Sequence, residues 1–165
     1  MTAELGKFDA FHPELSHDGA SPFAGIRHIK AGELDSTTAQ SGGGMTRFAA
    51  ISGELAGSRR LWMGETRVAP ATSSSAHHHG ESETAIYVVS GRPEFVYAGE
   101  WQGKPQEVRI KTGPGDYVYV PPYVPHREEN PHPDEEAVVV IARSTQEPVV
   151  VNLPSLLQPG SESGR

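Results

Sequence analysis

From residue 45 onward the apolar positions fall in short runs, and each run is closed by glycine, proline or a polar turn residue. The runs are 45–51, 61–68, 85–89, 94–97, 107–110, 117–120, 137–142 and 149–153. Several are rich in β-branched and aromatic residues, as in AIYVV, YVYV and AVVVIA. Runs this short, bounded by turns, predict the strands of a sandwich or barrel. Gly99, Gly103 and Pro105 predict a loop between the fourth and fifth runs. No window of a dozen residues keeps a helical period. Residues 26–34 read as a short strand or a turn, 36–44 (STTAQSGGG) as a loop, and 154–157 as room for one short helix.

The first 25 residues break this pattern. Phe8, Phe11, Leu15 and Phe23 are scattered among Pro13, Gly19 and Pro22, which predicts an extended arm. Residues 158–165 predict a frayed tail. The expected organisation is therefore an arm over 1–25, a single domain over 26–153 and a tail over 154–165.

Composition sharpens the picture. The 18 glycines and 14 prolines among 165 residues leave little room for long helices. With 14 Lys and Arg against 21 Asp and Glu, the formal charge is −7. Such a chain lacks the basic face that a nucleic-acid backbone or an anionic membrane demands. There is no cysteine, so disulfides, thiolate metal sites and cysteine nucleophiles are excluded. The N-terminus shows no secretory pattern and no run approaches a membrane span, so a cytoplasmic protein is expected.

The chemistry gathers on histidine. His77, His78 and His79 sit together in AHHHGESE, and His126 sits in PPYVPHREEN. On a strand, residues two apart share a face, so His77 and His79 project together and His78 points away. Two buried imidazoles on one face need partners, and a divalent metal satisfies both. His126 is the further ligand in a strand-and-turn setting. His12, His17, His28 and His132 lie in peripheral segments and read as exposed polar residues.

These motifs resemble those of the cupins. The first cupin motif, G-x5-H-x-H-x3,4-E-x6-G, finds counterparts in His77, His79, Glu83 and Gly91, with Ala71 near the first glycine. The second, G-x5-P-x-G-x2-H-x3-N, matches Gly115, Pro121, His126 and Asn130, with Tyr123 in place of a glycine. The resemblance, to single-domain bacterial cupins of the type-2 kind, implies an all-β double-stranded β-helix, the jelly-roll or cupin barrel. Counted from His79 the glutamate position falls on Glu83; counted back from Gly91 it falls on Thr84. The implied metal set is thus His77, His79 and His126, with Glu83 as a fourth ligand only if it turns inward.

A three-His site leaves coordination positions open, which suits catalysis. The resemblance implies a metal-dependent enzyme acting on a small anionic or chelating molecule, dioxygenase-like if the metal is iron. One alternative is a zinc cupin doing non-oxidative chemistry: isomerisation, a lyase or cyclase reaction, or nitrogen–nitrogen bond formation. Another is a non-catalytic cupin that binds a small ligand. One divalent ion per chain is expected, zinc or iron first, manganese or nickel next. Alternation puts Glu128 on the face of His126, as an acid/base candidate. Tyr87 shares parity with Glu83, and Ile86 with Thr84; Tyr87 and Thr84 are further pocket candidates. Arg47 and Trp62 lie on strands that would form the barrel wall. The expected partners are a small-molecule substrate and a second copy in a homodimer, with neither nucleic acid nor membrane.

Overall fold

The computed structural model describes residues 25–38, 43–146 and 149–157. The arm expected over 1–25 and the tail expected over 158–165 lie almost wholly outside these residues.

Among the described residues eleven strands make two antiparallel sheets. They are β1 (Met45–Ile51), β2 (Trp62–Val68), β3 (Thr72–Ser73), β4 (His77–His78), β5 (Thr84–Ser90) and β6 (Glu94–Trp101), then β7 (Lys104–Lys111), β8 (Tyr117–Val120), β9 (His126–Asn130), β10 (Ala137–Arg143) and β11 (Val151–Asn152). One sheet runs β1-β2-β10-β5-β8 and the other β11-β4-β9-β6-β7, with β3 beside β9. From β4 onward the chain crosses from one sheet to the other at every step except the β6–β7 hairpin, which gives the expected all-β jelly-roll barrel.

Alternation decides which side chains enter the barrel. On β10 the residues Ala137, Val139, Ile141 and Arg143 are buried and those between them are not. On β2 the buried set is Trp62, Gly64, Thr66 and Val68; on β5 it is Thr84, Ile86 and Val88. Trp62, Ile86, Val88, Phe95, Val120, Val139 and Ile141 are the larger members of one apolar cluster between the sheets. Burial of this kind contributes roughly 25 cal/mol per Å² of apolar surface, so the alternation fixes register as well as fold.

Two expectations need correction. The loop predicted across Gly99 to Pro105 is a tight hairpin, in which Trp101 pairs Lys104. Gln102 and Gly103 take φ of 51° and 75°, the left-handed pair that suits a two-residue hairpin. Pro105 is accommodated because β7 is an edge strand, where a missing N–H breaks no ladder. No helix forms at 154–157, where Leu156 is instead buried. Residues 26–34, expected as a short strand or a turn, hold the turn, a short 3-10 segment at Ala31–Glu33. A one-turn helix, α1 (Gly53–Ala56), follows β1; the Ser52 hydroxyl accepts from the Leu55 N–H at 3.1 Å, and Gly57, at φ 69°, ends it. Among the described residues no helix is long and apolar enough to cross a membrane.

The two outer faces differ. On β7 and β9, Arg109 bonds Glu94 at 2.5 Å and also reaches Glu129, while Arg127 bonds Glu129 and both oxygens of Glu107. On β5 and β8, Tyr87, Val89, Tyr117 and Tyr119 are exposed.

Candidate metal centre

β4 and β9 lie side by side, with His77 opposite His126. Alternation carries His79 to the same side as His77. All three histidines are at most 4% exposed, whereas His78 is turned outward and half-buried. One nitrogen from each of His77, His79 and His126 lies within 4.8 Å of the others. Of the other histidines, His28 is exposed and His78 and His132 are half-buried, while His12 and His17 lie outside the described residues.

The hydrogen bonds set the tautomers. Nδ1 of His77 lies 2.8 Å from the Ser75 carbonyl, Nδ1 of His79 2.9 Å from that of Val149, and Nδ1 of His126 2.9 Å from that of Val124. A carbonyl only accepts, so each Nδ1 carries the proton and each Nε2 keeps a lone pair. Among the described residues the buried Nε2 atoms of His79 and His126 have no hydrogen-bond partner. Burial disfavours a charge on His77 and His79: it lowers the His79 pKa to about 3, helped by Arg143, and it lowers that of His77 as well. Neutral imidazoles held by carbonyls, with lone pairs converging, fit a divalent metal.

Glu83 faces the other way. It is exposed, and its Oε1 accepts the Tyr119 hydroxyl at 2.7 Å, which raises the Tyr119 pKa. Gly80, at φ 57°, turns the chain after His79, and Ser82 and Thr84 are then buried while Glu83 and Tyr87 point outward. Tyr87 is therefore not in the barrel; its ring lies 4.9 Å from that of Tyr117. Thr84 is 1% exposed, and its hydroxyl has no partner.

Glu128 is 3% exposed and enters the barrel one inward position beyond His126. Its backbone is fixed to Ser74, which accepts from and donates to it. Among the described residues neither carboxylate oxygen has a hydrogen-bond partner, and Arg47 Nη2 lies 3.6 Å from Oε2. Burial works to raise the Glu128 pKa, but nearby positive charge, Arg47 foremost, outweighs it, so the net shift is downward. Asn130, the last residue of the second motif, has a structural part: its amide donates to the carbonyls of Val68, Ala69 and Glu135.

Arg143 was not singled out in the sequence. It is 2% exposed, and its guanidinium lies 5.6 Å from the centre of the Trp62 ring. Burial lowers its pKa to about 10, and Arg47 adds to this. The signal was its parity: it stands two residues beyond Ile141, on the inward face of a β-branched run.

Comparisons agree with this geometry. Residues 64–142 match the model of the cupin domain family. No curated protein sequence matches the chain. Among solved structures, an oxalate oxidase in complex with glycolate superposes with a TM-score of 0.59 at 18% identity, over 73% of this chain and 60% of that one. An oxalate decarboxylase gives 0.60 at 21%, over 73% and 31%. The polyketide cyclase RemF from Streptomyces resistomycificus gives 0.60 at 24%, over 81% and 88%. The chain thus spans three-fifths of the oxidase and under a third of the decarboxylase. At these identities the likeness is one of fold.

Proposed function

We propose that this chain, a cupin in family and fold, is a metal-dependent enzyme acting on a small anionic or chelating molecule at His77, His79 and His126. The carrying observation is the pair of buried, partnerless Nε2 atoms on His79 and His126, in a barrel that also buries a carboxylate. A bound divalent ion would supply Lewis acidity, or oxygen chemistry if it is iron. Three neutral ligands leave it its full charge, which draws an anionic or chelating group.

The protein's own groups have separate tasks. The carbonyls of Ser75, Val124 and Val149 hold the rings in place. Arg47 keeps Glu128 ionised. The free carboxylate oxygens of Glu128 then accept a proton from the substrate. Thr84 offers a hydroxyl from the facing wall. A buried base beside the site favours non-oxidative proton transfer, the isomerase, lyase or cyclase type, over oxygen chemistry. Glycolate in the oxidase complex is a small carboxylate, and RemF is a cyclase; both accord with this reading. A homodimer belongs to the same proposal.

Metal analysis of the purified protein tests the reading. Near one equivalent of Zn, Fe, Mn or Ni per chain is expected, and His126→Ala should lose it while circular dichroism stays that of the folded parent. A protein that neither carries nor takes up any of these ions overturns the proposal. Turnover that consumes O₂ overturns the proton-transfer part.

A further inference from the structure

Two cavities bordered by the described residues differ in character. One, of about 400 Å³, is lined by polar groups such as Asp35, Thr38, Arg47, Ser52 and Gln146, and none of the three histidines lines it. The other, of about 360 Å³, lies where β8 faces β6 and β7. Phe95, Ile110, Val118, Val120 and Val124 line it, and His126 stands in its wall.

We propose that this second cavity holds the body of the substrate, and that the body is a flat, apolar ring system of about two fused rings whose oxygen donors reach past His126 to the three-His centre. The chelating end of this molecule rests on the function proposed above; the apolar end rests on the cavity alone.

Three observations lead there. A molecule that touches the metal centre must adjoin a ligand, and of these two cavities only the apolar one includes a histidine of the centre. Its wall is unsuited to a wholly polar substrate, because a small dicarboxylate would leave Phe95, Val118 and Val124 facing water and would lose the gain from covering them. Its size exceeds one ring: an apolar cavity of roughly 150 Å³ holds benzene, and this one is more than twice that. Tyr97, the register partner of His126, also lines it and offers an aromatic edge to a planar guest.

The test uses two probes with the same phenol–carboxylate pair, salicylate with one ring and 3-hydroxy-2-naphthoate with two, titrated calorimetrically into zinc-loaded protein. The naphthoate should bind at least about tenfold more tightly, since its four extra carbons need only half-burial to give that ratio. Ile110 is 40% exposed on an edge strand, so Ile110→Asp should fold; it should weaken the naphthoate about tenfold and leave oxalate within twofold. In chelator-treated protein, the naphthoate should shift the amide resonances of Val118, Val120 and Val124, and not those of Thr38, Ser52 and Gln146. Equal affinity for the two probes, an equal effect of Ile110→Asp on naphthoate and oxalate, or shifts confined to the polar cavity would each overturn the proposal. Failure to take up metal would remove the proposed function, while the metal-free resonances would still decide the cavity.

Discussion

Replacing Arg47 with methionine should destabilise the protein far more than a surface change would. Arg47 and Glu128 have side chains 9% and 4% exposed, and their charges stand 3.6 Å apart. At an effective dielectric constant of about 20, that separation corresponds to an attraction of roughly 4.6 kcal/mol. R47M leaves a carboxylate buried without that compensation, and breaking a buried pair in this way costs about 3–5 kcal/mol. With a urea slope of about 2 kcal/mol per molar, the unfolding midpoint of chelator-treated protein should fall by roughly 2 M. R47M/E128L replaces both charges with apolar groups and should return to within about 1 kcal/mol of the parent. The two substitutions would then be strongly coupled in a double-mutant cycle. An R47M midpoint that moves by less than 0.5 M, or single effects that merely add, would refute the view that Glu128 is held as a buried carboxylate by Arg47. The double variant also separates fold from chemistry, because it should keep its metal while losing turnover.

Two further substitutions probe the motifs. Glu83→Ala should leave metal content at the parental level by elemental analysis, because Glu83 is exposed and bonded to Tyr119; a loss of more than half the metal would restore it as a ligand. Gly91→Ala should lower the melting temperature by roughly 6–12 °C, about 3 kcal/mol for a domain of this size. Gly91 has φ 74°, and a Cβ there would lie 2.6 Å from the Ala137 Cα and 2.7 Å from the Glu136 carbonyl, both backbone atoms. A drop under 2 °C would show that this turn can yield.

Much of the molecule was legible because strands alternate with a period of two. That period alone paired His77 with His79, aligned Glu128 with His126, and separated Thr84 from Glu83. What stayed hidden lay outside that period. Whether the glutamate of the first motif turns inward is settled at Gly80, whose left-handed backbone sets the phase of the strand that follows. The β6–β7 hairpin read as a loop because Gly99 and Pro105 are poor strand formers; edge position overrides that preference for Pro105. The helix α1, at four residues, is too short to show a period. The apolar cavity is assembled by β6, β7, β8 and the loop before β9, and no local pattern announces such an enclosure.

Ala71 and Tyr123, the two residues standing where the cupin motifs carry glycine, have φ of 52° and 61°. Both therefore keep glycine's backbone shape with a side chain attached, at a strain of about 1–2 kcal/mol each. What a motif glycine preserves is thus a bend, and the letter is only the cheapest way to write it. A search by letters would score this chain poorly at both corners although the path of its backbone conforms there. Other members of such a family that have drifted in the same way would be found more readily by the torsion angles of their turns than by the residues that occupy them.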